Sequence, residues 1–349
     1  MSIFPSLIAE HQQKNTGFCL YQWPGSERVY FIAGKNDLKS KTGFSFVPFN
    51  TKQFPSFNIQ KEIKQHYSSF SDFSNAHNVY NDSKKTISLL GKSLNKSTSL
   101  VEYQSGFETI KTAIQKGEIQ KAILSKKTVY KTEKSFDILN YAQKIFKQHP
   151  NAFCYLFFHP ECGLWLGASP EIILQQKAEN FETIALAGTK TDKNIPWSNK
   201  ELMEHQIVSQ FITDALDELK VVYKLDKVKT VNAGNLLHLK QQITFNYEAD
   251  GIKKLLNKLH PTPAIGGYPK NNALKVIALA EKHNREYYCG YLGEQNPMQT
   301  KHFVNLRCAK ICDNQIEFYT GGGITADSDL QKEWEECDKK ATSLMRFLD

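Results

Sequence analysis

Apolar positions alternate with polar ones early in the chain. Gly17 to Ala33 reads as two strands turning at Pro24-Gly25-Ser26, and Gly43 to Phe49 as a third. A Ser/Asn/Lys-rich tract from Asp82 to Ser99 is the best place for a boundary, dividing residues 1–99 from a core of 100–349. Beyond it, Phe107, Ile110 and Ile114 fall at helical spacing up to Gly117, and a strand is expected from Ile119 to Tyr130. Phe153–Phe158 and Leu164–Ala168 form a hairpin, and Phe181–Ala187 a further strand. A long helix from about Lys200 to Lys220 precedes strands at His302–Ile311 and Gln315–Thr320, and a helix from Leu330 to Phe347 closes the pattern. Runs of strands with separate helices predict an α+β fold over an alternating βαβ sheet.

Composition narrows the class. The 349 residues suffice for one large domain or two ordinary ones, and 40% hydrophobic with 23% charged residues is a globular balance. The formal charge of +8 comes from lysines interspersed with acids, without a basic arm or stripe, so nucleic acid is not the expected partner. A small dianionic substrate suits the same balance. Seven cysteines, scattered and without a CxxC pair, read as reduced core thiols. Met1 to Leu20 lacks a signal-peptide pattern, and no run reaches the roughly 18 apolar residues of a membrane span, so a cytoplasmic location without membrane attachment is expected.

Four places along the chain ask for chemistry. In a strand, Lys121 shares a face with Ile119 and Ile123; turned inward it could serve as a base towards water, whereas on an edge it would only guard against aggregation. Glu204 lies on the stripe Val208, Phe211, Ala215 and Leu219, so its carboxylate should point inward and needs either a cation or an arginine. Glu333, Glu336 and Lys340 run down one side of the last helix, which reads as a core-facing stripe fit for Mg²⁺ or as a solvated face with i,i+4 ion pairs. Gly321-Gly322-Gly323 permits converging N–H groups, an anion nest or a plain turn.

Taken in order, Lys121-Ala-Ile-Leu-Ser-Lys126, Gly167-Ala-Ser-Pro-Glu171, Leu186-Ala-Gly-Thr189, Glu204-His205, His260-Pro-Thr-Pro-Ala264, Leu306-Arg-Cys-Ala309, Gly321-Gly-Gly-Ile324 and Glu333-Trp-Glu-Glu336 resemble the chorismate-utilising family of isochorismate, salicylate, anthranilate and aminodeoxychorismate synthases. The likeness covers about Leu100 to Asp349, leaving residues 1–99 to complete the sheets. It implies large antiparallel sheets packed together with helices outside, a chorismate pocket, and Mg²⁺ held directly by Glu204 and Glu336 with Glu333 beside it. It further implies that Arg307 and Lys340, with N–H groups near Gly322 and Gly323, clamp a substrate carboxylate. By the same likeness His238 orients the ring, and Ala187, Gly188 and Ala264 line the pocket.

Within that family the nucleophile separates the reactions. Lys121 stands where the amine-forming enzymes carry Gln, and Ala187 where aminodeoxychorismate synthases carry a lysine, so the resemblance implies water as nucleophile and no glutaminase subunit. Ala264 resembles isochorismate synthases, since salicylate and anthranilate synthases tend to have Thr there. The implied activity is chorismate to isochorismate, with Lys121 as general base and Glu171 as general acid; use of the product in menaquinone or in siderophore formation is left open, and a monomer is the default expectation. A salicylate synthase and a non-catalytic chorismate-binding relative are the alternatives. The chain departs from the family at Lys200-Glu-Leu-Met203, where LysAspArg is usual, and at Leu237-His-Leu239-Lys-Gln241, where TrpHisLeuAlaThr is.

Overall fold

Three strands are buried along almost their whole length on both faces: β1 (Gly17–Gln22), β7 (Phe153–His159) and β8 (Gly163–Ser169). That pattern belongs to strands covered on both sides, and the computed structural model, which describes residues 4–77, 90–133, 136–177, 180–190, 192–233, 236–248, 251–296 and 299–348, shows what covers them. They sit in a nine-stranded antiparallel sheet. Its order is β14 (Gly267–Tyr268), β6 (Lys121–Lys131), β18 (Gln315–Ile324), β17 (Cys308–Ile311), β8, β7, β1, β2 (Val29–Gly34) and β5 (Ile63–Tyr67).

A second nine-stranded sheet faces it. Its order is β11 (Tyr223–Leu225), β13 (Leu236–Phe245), β10 (Asn180–Lys190), β9 (Ile172–Lys177), β16 (Gln299–Val304), β15 (Tyr291–Asn296), β3 (Gly43–Val47) and β4 (Phe57–Ile59), with β12 (Lys229–Ala233) also on β13. This is the α+β class that the pattern predicts, built as the packed antiparallel sheets that the resemblance implies. The strands β1 to β5 fall before residue 100 and join both sheets.

Aromatic side chains fill the space between the sheets. Phe46 is fully buried, with its ring centroid 4.2 Å from Phe157 of the other sheet and 4.5 Å from Tyr287. Phe46→Ala should therefore cost about 3–5 kcal/mol of stability, read as a lower midpoint in chemical denaturation. Loss below about 1 kcal/mol would mean that the sheets are not locked at this point.

Helices close the outer faces. α1 (Phe4–Lys14), α2 (Phe70–His77) and α4 (Ile138–Gln148) cover β1, β2, β7 and β8 through residues such as Ile8, Phe70 and Ile145. α3 (Leu100–Gln115), α7 (Lys270–Ala280) and α8 (Leu330–Met345) cover β6 and the end of β18 through Phe107, Ile277 and Cys337. α5 (Asn199–Glu218) and α6 (Ile252–Leu259) cover the second sheet through Val208, Ile212 and Leu255. All seven cysteines are buried free thiols. No helix among the described residues is long and apolar enough to cross a membrane.

The single strand expected from His302 to Ile311 is two strands in different sheets. β16 ends at Val304 in the second sheet and β17 begins at Cys308 in the first. Fully buried Asn305 holds the corner: its N–H donates to Gly290 O at 2.7 Å, its amide to Tyr287 O at 2.8 Å, and its Oδ1 accepts from the Tyr155 hydroxyl at 2.7 Å. Arg307 then turns the chain at φ +46°. The polar tract's residues 82–89 lie outside the described residues.

Candidate active site

The chain passes between the sheets at two corners that touch. At Pro170-Glu171 it leaves β8 for β9; at Asn305–Arg307 it leaves β16 for β17. Val304 N–H donates to Glu171 O at 2.9 Å, Ala168 N–H donates to Arg307 O at 3.0 Å, and the Ser169 hydroxyl donates to Val304 O. These bonds fix the backbone of Glu171. Burial pushes its carboxyl up from 4.5 to about 7, and the nearby Lys121 ammonium opposes the rise without cancelling it.

Lys121 opens β6 and pairs with Tyr268 of β14, and β18 joins the strand's other edge from Ala122 onward. Its side chain is 14% exposed and its Nζ lies 3.5 Å from Glu204 Oε1, 23% exposed, on the first turns of α5. Glu204 thus points inward as its stripe predicts, and its partner is a lysine rather than an arginine.

The glycine run is strand, not a nest. Gly321, Gly322 and Gly323 pair with Ser125, Leu124 and Ile123 of β6, and none of them has a positive φ. Successive N–H groups of a strand point to opposite edges, so the amides of Gly322 and Gly323 do not converge on one anion. The glycines make room instead: a Cβ at 322 would lie 2.6 Å from Glu333 Oε2, and one at 323 would lie 2.7 Å from Lys121 Cε. Beyond Tyr319 the edge of β18 towards β17 is open, because β17 starts at Cys308 opposite Tyr319. Arg307 comes next in that register; its side chain is exposed and makes no hydrogen bond or ion pair among the described residues.

On α8 the core-facing stripe is Cys337, Ala341 and Leu344, not Glu333, Glu336 and Lys340. The two acids and the lysine flank it. Glu333 is half-buried and accepts from the Ser328 hydroxyl at 2.8 Å. Glu336 and Lys340 are 53% and 45% exposed and form an i,i+4 pair at 2.7 Å, while Lys340 Nζ also donates to Gly321 O at 2.8 Å. The expected core-facing stripe is thus an ion-paired outer edge, with one acid, Glu333, turned towards the glycine strand.

Among the described residues, no three His, Cys, Asp or Glu side chains gather as a metal site. Glu204, Glu333 and Glu336 offer carboxylate oxygens, the donor type a hard cation takes, although His205 and Cys337 stand next to two of them in sequence. Glu204 is half-buried against a single long contact with Lys121, which leaves oxygen lone pairs for a further partner.

The remaining positions line the second sheet and one loop. Gly188, at φ +73°, forms a bulge between Ala187 and Thr189 and packs 3.1 Å, measured from an added Cβ, against Glu201 at the start of α5. His238 Nδ1 meets Gly188 O at 3.1 Å. Ala264 is half-buried in the turn Thr262–Gly266, and Gly266 O accepts from Ile123 N–H at 2.9 Å, which ties that loop to the lysine strand. Ser169 and Asn305 set the corners, and neither is singled out by spacing; a serine inside Gly167-Ala-Ser-Pro-Glu171 was the available signal.

A lysine at the start of β6 and a carboxyl held near 7 at a corner between the sheets, with carboxylates on two flanking helices, make up the candidate site. The comparisons give the chain its family. The chain matches the family described as chorismate binding enzyme over residues 20–349, and it belongs to that family. It is 28% identical over 244 residues to isochorismate synthase EntC of Escherichia coli K12, a match covering 65% of this chain and only 62% of EntC. Its fold is similar to that of MenF, the menaquinone-specific isochorismate synthase of Escherichia coli (TM-score 0.75, 20% identity, 95% of this chain and 89% of that one). It is also similar to anthranilate synthase component I of Streptococcus pneumoniae (TM-score 0.68, 15% identity, 94% and 89%).

Proposed function

We propose that this protein is an isochorismate synthase, adding water at C2 of chorismate and expelling the C4 hydroxyl. The observation that carries this reading is the half-buried Glu171 carboxyl, held near 7 and within electrostatic reach of Lys121. A carboxyl that keeps its proton close to neutral pH is a competent general acid, which an ordinary glutamate is not. The isochorismate synthase EntC is a relative in sequence.

In the proposed reaction Lys121, its contact with Glu204 released, takes a proton from the water whose oxygen bonds to C2. Glu171 gives its proton to the oxygen leaving C4, so that water departs as the ring double bonds shift. Arg307, without a side-chain partner among the described residues and beside the edge of β18, binds a substrate carboxylate, and Lys340 assists from α8. His238, Ala187, Gly188 and Ala264 shape the ring pocket. Glu204 and Glu336, with Glu333 beside them, would hold Mg²⁺, which when bound neutralises carboxylate charge and fixes the ring. With water as the nucleophile, no glutaminase partner is required, and Lys121 replaces the Gln of amine-forming relatives.

Chromatography of the products decides the matter. Purified protein with chorismate and Mg²⁺ should yield isochorismate without pyruvate. Salicylate with stoichiometric pyruvate would replace the reading by a salicylate synthase, and bound but unturned chorismate by a non-catalytic relative. EDTA should abolish turnover and added Mg²⁺ restore it; full activity in EDTA would remove the metal assignment.

A further inference from the structure

The strand bearing Lys121 lacks a strand partner along most of one edge. β14 pairs only with Lys121 and Ala122, and from Ile123 onward that edge of β6 is met by side chains and loops. Several of its edge-facing groups are nonetheless satisfied. Ile123 N–H donates to Gly266 O at 2.9 Å, Ile123 O accepts from Arg285 Nη2 at 2.7 Å, and Ser125 N–H donates to Glu281 Oε1 at 2.7 Å. Further along, Lys127 N–H donates to Thr98 Oγ1 at 3.0 Å. A buried sheet edge must be paired by something, and here a charged pair takes the place of a strand.

Glu281 and Arg285 are spaced like a surface i,i+4 pair, yet their side chains are only 5% and 2% exposed. Glu281 is the C-cap of α7, and Arg285 lies beyond the helix. Arg285 Nε donates to Glu281 Oε2 at 2.9 Å and Nη2 to Oε1 at 2.6 Å, while the guanidinium carbon stands 4.4 Å from the centroid of the Phe49 ring. Its remaining arm reaches the other wall of the site: Nη1 donates to Ile265 O at 2.8 Å, one residue past Ala264. Burial pushes the Glu281 carboxyl up, but Arg285 and the Ser125 amide outweigh it and hold it below the usual range.

A buried ion pair of this kind is a poor source of net stability, because desolvation consumes most of the attraction. Its planar fork does supply geometry. One rigid guanidinium spans Ile123 O, two residues from Lys121, and Ile265 O, next to Ala264, and Glu281 sets its orientation.

We infer that Arg285, oriented by Glu281, is a positioning residue that fixes the separation between the strand carrying Lys121 and the loop carrying Ala264. The inference rests on the reading of Lys121 as the general base. A lysine at 285 keeps the charge but cannot hold two carbonyls and a carboxylate in one plane.

The test uses the full chain with Arg285→Lys and Glu281→Gln, and Glu294→Gln as a control that disturbs another buried ionic cluster, Glu294 with Lys61 and Lys64. Two quantities are read: chorismate kinetics, and the pH profile of Lys121 acetylation in a short acetic anhydride pulse, measured by peptide mass. Arg285→Lys should lower kcat about 10- to 100-fold with KM moving less than about threefold, and should displace the Lys121 acetylation profile. Glu281→Gln should act in the same direction. Wild-type kcat and an unmoved Lys121 profile in folded Arg285→Lys would overturn the inference, as would an equal displacement in Glu294→Gln. If Arg285→Lys does not fold, Glu281→Gln decides by the same criteria. Should the wild type make no isochorismate, the proposed activity fails while the acetylation profiles still decide the positioning role.

Discussion

Lys121→Ala is expected to lower kcat by about 10²- to 10⁴-fold while changing the chorismate dissociation constant by less than about threefold. The first magnitude is the usual contribution of a positioned base. The second follows from the surroundings of Nζ: its contacts are with Glu204 and the glycine strand, whereas the proposed clamp for a substrate carboxylate is Arg307, whose side chain makes no hydrogen bond or ion pair among the described residues. Removing Lys121 should therefore remove the proposed proton acceptor and leave the proposed substrate clamp in place. Lys121→Gln is the sharper variant, because it keeps volume and hydrogen bonding but cannot take a proton. Stopped-flow binding with steady-state kinetics separates the two effects. Wild-type turnover in either variant would end the assignment of Lys121 as base.

Three consecutive glycines suggest an anion nest because glycine permits convergent amides, yet the run continues a strand whose two faces must admit Glu333 and Lys121. Spacing cannot tell room for a backbone turn from room for a neighbour. The acids of α8 were ambiguous for a related reason: Cys337 and Ala341 carry little apolar weight, so the stripe with Leu344 that faces the core is fainter than the charged one beside it.

Element type was legible where periodicity was strong, as in α3, α5 and the β7–β8 hairpin. It failed at Asn305–Arg307, where no glycine or proline marks the passage between sheets and a non-glycine residue takes a positive φ. The Glu281–Arg285 pair was invisible for a different reason. An i,i+4 acid–base pair is the commonest decoration of a solvated helix, and only tertiary packing puts this one under the lysine strand. Lys121, Glu171 and Glu204 were legible as candidates because motif order supplied what local pattern could not.

Glu171→Gln should make the protein less active and, at alkaline pH, more stable. The folded carboxyl titrates near 7 against 4.5 when solvated, so the folded state holds an extra proton between those values. Stability must then fall as pH rises through that window and stay low above it, the opposite of a salt-bridged carboxylate. Each pH unit across the window is worth about 1.4 kcal/mol, and because Glu171 is only half-buried the realised penalty is roughly 1–3 kcal/mol. Glutamine carries no charge to desolvate. The variant should match wild type near pH 4 and exceed it by that amount near pH 8, where denaturation midpoints of the two proteins can be compared directly. Other titrating groups cancel in the difference. Activity should move the other way, with kcat reduced about 10²- to 10⁴-fold and the wild-type decline in rate above pH 7 absent from the residual activity. Equal stabilities at pH 8 would show that the carboxyl is not desolvated, and an unchanged alkaline limb in the variant would assign that limb to another group.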